Sequence, residues 1–198
     1  MKKRATIRDV AKHAGVAPIT VSRVVNDSGY VSEETRKRVD ISIQELNYIP
    51  NKLSQSLRFQ QTNMVTLLVS DITNTFWTTV TRGVEDVCNV HNLNLILCNT
   101  DEKPEKLTKY INHQLQNQTD GLILVPTGKA SDVIELIIQN DIPLVILDRE
   151  LSGFEVNTVV SDNEAGAYQL TNYLIELGHR RIGILSGQES IYTAVQRV

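Results

Sequence analysis

The most chemically patterned stretch of this chain lies between positions 18 and 26. Val21, Val24 and Val25 share one side of a helix there, which leaves Pro18, Ile19, Thr20, Ser22, Arg23 and Asn26 to face solvent or a partner. That display is one guanidinium, hydroxyls, an amide and one aliphatic group. An arginine fork matches O6 and N7 of guanine, hydroxyls and amides bond phosphates and base edges, and an isoleucine can only make apolar contact, for example with a thymine methyl. The chemistry is recognition of a duplex and makes no covalent bond.

Such a display needs elements to hold it. Thr6 can cap a preceding helix, with Asp9 three positions on as its capping-box partner, and Ile7, Val10, Ala11 and Ala14 form that helix's apolar face. Gly15 supplies a turn that requires positive φ, and Pro18 suits the first position of the second helix. The pair forms a helix-turn-helix, whose second helix fits a DNA major groove. Periodicity alone fits a generic helical bundle equally well. After a loop at Asp27, Ser28 and Gly29, Ser32 can cap a third helix with Glu33 and Glu34 in its first turn and an apolar stripe at Val39, Ile43 and Leu46. Three such helices close a core of about 46 residues, near the lower size limit for folding alone. Arg36, Lys37 and Arg38 lie off the stripe, as phosphate contacts or as a solvated face.

Residues 49–62 are polar, with helix potential but little to pack on. From Asn63 the pattern changes to MVTLLVSD, NLNLILCNT, GLILVP and LVILD as strands, separated by helices near 77–90, 105–116 and 131–139. Strict alternation implies a parallel sheet with helices on both faces, and ligands in such sheets bind beyond the carboxyl ends of the strands. That rule selects residues 71–76, 99–102, 126–128 and the pair Asp148 and Arg149. A helix over 164–177, a strand RIGILSG and the start of a helix over 192–198 are expected to begin a second lobe.

The 198 residues carry a net charge of −3, but unevenly. Residues 1–62 hold 11 Lys and Arg against 6 Asp and Glu, a net of +5, while the remainder is at −8. A basic head on an acidic body is what a chain shows when only the head meets a polyanion. No apolar run approaches the roughly 18 residues that span a bilayer, and the N-terminus MKKRATIRDV lacks a signal-peptide core, so no membrane partner and a cytoplasmic location are expected. Cys88 and Cys98 fit buried thiols. No phosphate-binding glycine motif follows a strand, no nucleophile elbow appears, and His13, His91, His113 and His179 lack ligand spacing. No catalytic residue, metal site or cofactor is expected, against an enzyme of nucleotide-binding type. A free-standing sugar receptor would require export.

TIRDVAKHAGV followed by TVSRVVN, then LNYIPN, SDITNTFW, RGVED, ILDRE and VVSDNEAGAYQLTNYLIELGHRRIGILSG, closely resembles the LacI family of bacterial transcriptional regulators. The resemblance implies an α + α/β chain: a helix-turn-helix domain over 1–48, a hinge helix and linker over 49–62, and a partial periplasmic-binding-protein-like effector domain with its first lobe at 63–161 and an incomplete second lobe at 162–198. The implied partners are double-stranded operator DNA and a small-molecule effector, a sugar or sugar-like ligand. The full-length family forms homodimers, a state left open for a chain ending at Val198.

Thr6, Pro18, Ile19, Thr20, Ser22, Arg23 and Asn26 take the DNA-contact positions, and Leu57 that of the leucine wedged into the minor groove, or else that of an ordinary linker leucine. Asp71, Phe76, Asp148, Arg149, Thr193 and Arg197 take effector-contact positions, and Asp162 is either a contact or a helix cap. Asp148 and Arg149 can also be a local ion pair. Ala17 stands where the family usually has serine, removing a helix cap, and Thr75 where it usually has the proline of NPFF. A chain stopping at Val198 is expected to leave sheet edges unpaired and apolar surface exposed. The function implied is a ligand-controlled repressor; the alternative is a nucleotide- or sugar-binding α/β protein without regulatory role.

Overall fold

Thr6 starts the first helix through a reciprocal cap: its amide donates to Asp9 Oδ2 at 2.8 Å and its Oγ1 accepts from the Asp9 amide at 3.3 Å. The computed structural model describes residues 4–50, 61–127, 130–151, 153–187 and 191–198, and the chain divides into two units, Met1–Gln60 and Gln61–Val198. The hinge helix with Leu57, and Gly128 beyond the third strand, lie outside the described residues.

In the first unit α1 (Ile7–Ala14) ends at Gly15, whose φ of 65° is left-handed. The turn leads into α2 (Pro18–Val25), with Ala17 extended and making no side-chain cap. Ser32 caps α3 (Glu33–Glu45) by accepting from the Thr35 amide. Val10, Ala11, Ala14, Val21, Val24 and Val39 are buried together, with Ile43, Leu46 and Tyr48 packed on them. One polar brace joins this core: Ser42 donates to the Arg38 carbonyl at 2.8 Å, so its oxygen, 3.0 Å from His13 Nδ1, is left to accept from the ring and tie α1 to α3.

In the second unit β1 (Met64–Val69), α4 (Thr75–Val90), β2 (Asn94–Asn99), α5 (Pro104–Gln116), β3 (Gly121–Leu124), α6 (Ser131–Gln139), β4 (Leu144–Leu147) and β5 (Asn157–Val159) build a five-stranded parallel sheet of order β2-β1-β3-β4-β5. Alternation along β1 divides the core. Leu67 and Val69 meet Trp77, Val80 and Val84 of α4 on one face. Leu68 joins Leu107 and Ile111 of α5 and Ile134 and Ile137 of α6 on the other. The start of β1 is fastened by Asp120, whose carboxylate accepts from the Thr62 and Asn63 amides at 2.8 and 2.7 Å.

Two departures from the sequence reading concern the later residues. β5 was not expected: it is three exposed residues long, too short to show a periodicity, and is defined by its pairing with β4. Residues 181–187, expected as the strand RIGILSG, are not a strand, and Ile184 and Leu185 are exposed. A strand exists by pairing, and among the described residues none pairs here. α7 (Asn163–Glu176) likewise buries no residue, and α8 (Tyr192–Gln196) follows.

Candidate functional site

The first candidate surface is the outer face of α2. Its valines seat the helix on the head's core, and Pro18, Ile19 and Arg23 are exposed, Ile19 at 56%. Among the described residues the Arg23 guanidinium has no hydrogen-bond or ion-pair partner, and its stem lies beside Gly29 in the following turn. Thr20, Ser22 and Asn26 are half-buried, and Asn26 Nδ2 donates to Ser22 Oγ at 3.2 Å, so these two present themselves as a unit. Thr6 Oγ1 donates to Asp9 at 2.7 Å, which commits its hydroxyl to the cap. Of the basic run on α3, Arg36 pairs with Asp27 at 2.8 Å and Lys37 with Glu33 at 3.2 Å.

The second candidate surface lies beyond the carboxyl ends of the strands. After β1, Asp71 folds back on its own loop, its Oδ1 accepting from the Thr73 amide at 2.8 Å and hydroxyl at 2.7 Å. Asn74 caps α4 by accepting from the Phe76 amide at 3.0 Å. Phe76 is half-exposed and stands edge-on to buried Trp77, with ring centroids 4.8 Å apart. Asn99, at the end of β2, links the neighbouring loops by accepting from the Ile72 amide and donating to Asp101.

After β4 the chain turns through Asp148, which holds a φ of 68° and donates its amide to the Val159 carbonyl at 2.8 Å. That turn aims Arg149 at the ends of β2 and β3. Its Nη2 donates to Glu102 Oε1 at 2.5 Å, and its Nη1 to Glu102 Oε2 at 3.1 Å and to the Pro126 carbonyl at 2.6 Å. Among the described residues, Arg149 Nε lies 4.0 Å from Asp148 Oδ2 but makes no hydrogen bond, and Thr127 Oγ1 is also buried without a partner. The side chains of Asp148 and Arg149 are 12% and 13% exposed. Burial pushes the Asp148 carboxyl above its usual range; Arg149 and Arg197 pull against that shift and Glu102 adds to it.

Asp162 is a cap, its Oδ1 accepting from the Ala165 amide at 2.9 Å. Arg197 donates from Nε to Asn163 at 2.7 Å. With buried Thr193 it lines a cavity of about 310 Å³ whose other walls include Ile184, Leu185 and Ala194. The fold therefore gathers Asp148, Arg149 and Arg197 into one electrostatic neighbourhood. Asp71, Asp162 and Thr6 instead hold local backbone.

Glu102, Thr127 and the Pro126 carbonyl are site features that sequence reading left without a role. Strand-end position marked their segments, but a pairing across 47 residues leaves no local signal. Cys88 and Cys98 are buried free thiols whose ionisation burial disfavours, Glu85 adding to the effect at Cys88. Among the described residues no helix is long and apolar enough to cross a membrane, and no cluster of three His, Cys, Asp or Glu could hold a metal ion.

A probable HTH-type transcriptional regulator EndR of Paenibacillus polymyxa is 36% identical over 197 residues, covering 98% of this chain and 58% of that protein. A ribose operon repressor of Halalkalibacterium halodurans is 41% identical over 192 residues, 97% of this chain and 57% of that one. The chain thus spans under three fifths of the length of these curated relatives. Among solved structures, the lac repressor dimer bound to operator and the anti-inducer ONPF superposes with a TM-score of 0.86 at 27% identity, covering 98% of this chain and 59% of that one. The family model for bacterial regulatory proteins of the lacI family matches residues 6–51, and the model for periplasmic binding proteins and the sugar binding domain of the LacI family matches residues 62–198. With both models aligned in order on the two units, the chain belongs to the LacI family.

Proposed function

We propose that the protein is a sequence-specific DNA-binding transcriptional repressor whose hold on its operator is set by a small neutral ligand bound beyond the strand ends of the second unit. The observation that carries this reading is the α2 surface: Pro18, Ile19 and Arg23 stand outward from a helix whose valines fix it to a packed core. Arg23 has reach, charge and no partner among the described residues, which suits a guanine edge. The lac repressor structure, bound to operator as a dimer, supports the same arrangement for two copies of this chain on two half-sites. The ribose operon repressor supports a sugar as ligand class. Phe76 offers a half-exposed ring to the apolar face of a sugar, and Asp148 with Arg149 offers an acceptor and a donor to its hydroxyls. Coupling between ligand and DNA would run through residues 51–60, which join the two units and include Leu57.

Selection from a random duplex pool, followed by anisotropy titration of the enriched sequence with and without D-ribose, tests the reading. Enrichment of one motif, and a shift of its affinity by a sugar, is the expected outcome. A flat pool with sugar binding intact would instead leave an α/β ligand-binding protein without regulatory role.

A further inference from the structure

The geometry points to Glu102 as the residue that sets the charge class of the ligand: by neutralising Arg149 with a carboxylate of the chain's own it makes the site accept neutral hydroxylated molecules and refuse anions. This rests on the ligand site proposed above. An arginine beside a cleft ordinarily invites a carboxylate or phosphate through its two parallel N–H groups. Here that fork is already occupied, with Nη1 and Nη2 both on the Glu102 carboxylate and Nη1 also on the Pro126 carbonyl. The guanidinium's five N–H groups make three hydrogen bonds, which leaves one N–H on Nη2 and that of Nε; Nε is buried, makes no hydrogen bond among the described residues and has Asp148 at 4.0 Å.

An anion therefore has two routes, each opposed. It can displace Glu102, releasing a carboxylate near Asp148, or it can approach Nε or the second N–H of Nη2 against the field of both acids. A hydroxyl meets no such opposition. It can accept from Nε or from Thr127 Oγ1, the other buried side-chain atom without a partner among the described residues, and donate to Asp148, with no change in charge. The formal charges of the neighbourhood balance, Arg149 and Arg197 against Glu102 and Asp148, and the first three all act on the Asp148 carboxyl. Removing the Glu102 charge leaves one positive charge in excess, on a fork freed to take an anion. Glu102 is in this sense a specificity residue acting through Arg149; it need not touch the ligand.

The test uses the full chain, Glu102→Gln, the double variant Glu102→Gln with Arg149→Gln, and Glu102→Asp, titrated calorimetrically at constant ionic strength with sodium sulfate and separately with D-ribose. Glu102→Gln keeps the side chain's size, and Glu102→Asp keeps its charge. The expected result is sulfate binding at least about tenfold tighter in Glu102→Gln than in the wild type, lost in the double variant and absent in Glu102→Asp. Equal sulfate affinity in wild type and Glu102→Gln overturns the proposal, as does a gain that survives loss of Arg149. A sulfate gain without ribose binding by any variant upholds the charge gate and counts against ribose as the ligand, so the two readings fail separately.

Discussion

The head and the sheet unit treat their arginines in opposite ways. On α2, Arg23 extends from a small aliphatic core into solvent with no partner among the described residues. In the sheet unit, Arg149 is almost enclosed and its fork is filled by Glu102 and the Pro126 carbonyl. An exposed guanidinium keeps its hydration, so nothing internal is required, and under the proposed function a polyanion would supply the compensating charge. A buried one must be compensated within the fold. One unit leaves its arginine's charge open to solvent; the other neutralises it within the fold.

The largest expected effect probes whether the two units rest on separate cores. Ile146 of β4 is fully buried in one cluster with Leu107 and Ile111 of α5 and Ile134 and Ile137 of α6, and no head residue belongs to that cluster. Ile146→Ala should cost the sheet unit about 2–5 kcal/mol, from lost burial plus the cavity left behind. The chain's one tryptophan, Trp77, lies in the sheet unit, so its fluorescence follows that transition in urea. Head resonances in NMR should keep their own midpoint, and a common shift of both would break the division.

Next comes Arg23→Ala. A side chain held by nothing inside can be removed without unfolding the head. If its guanidinium bonds a base edge, its removal should lower discrimination by roughly 1–3 kcal/mol at one position of the duplex. Competition among singly substituted duplexes measures this. Uniform weakening at every position would make Arg23 a phosphate contact and move sequence reading to its neighbours on α2.

Pre-paired charge also has a pH signature. Burial raises the Asp148 carboxyl, so between its unfolded value of about 3.9 and the higher folded value the folded unit binds more protons than the unfolded chain. Stability from this group therefore falls as pH rises through that window. Asp101 behaves oppositely: its hydrogen bond from Lys106 holds the carboxyl down, and the stability it contributes is present above about 3.9 and lost as pH falls through the lowered folded value. Asp148→Asn should remove the first slope and leave the second in urea titrations across acidic pH, while weakening sugar binding. An unchanged slope would assign it to another group.

How much of this was legible follows from the range of the interactions. Val10, Val21 and Val39 reveal themselves by spacing within one helix each, and Gly15 by the turn only it makes easily. Strands β1, β3 and β4 declare themselves as apolar runs because they are covered on both faces, whereas exposed β5 does not. Long-range pairings leave no such trace. Glu102 meets Arg149, and His13 meets Ser42, because separate elements happen to end side by side. Asp162 was legible as a cap from its place before the helix, whereas the turn that Asp71 makes with Thr73 was not. RIGILSG has a strand's composition, but composition supplies no neighbour to pair with.

The smallest expected effect tests how firmly the head holds its reading helix. Thr6, Ser32 and Asn74 each accept from an amide in the first turn of the helix they open, whereas Ala17 opens α2 with an extended backbone, φ −72° and ψ 149°, and no side-chain oxygen. The backbone is thus already in the conformation a cap requires, and Pro18 has fixed the next φ. Ala17 is exposed, so an added hydroxyl displaces nothing. Ala17→Ser should stabilise the head by about 1 kcal/mol, the usual worth of an N-cap, readable as a higher urea midpoint of the head resonances. Because the cap lies one residue from Pro18 and two from Ile19, the same substitution should slow dissociation from DNA without changing which sequence is selected. A shift in selected sequence would mean that position 17 itself reaches the bases, and that the surface attributed to α2 begins one residue earlier.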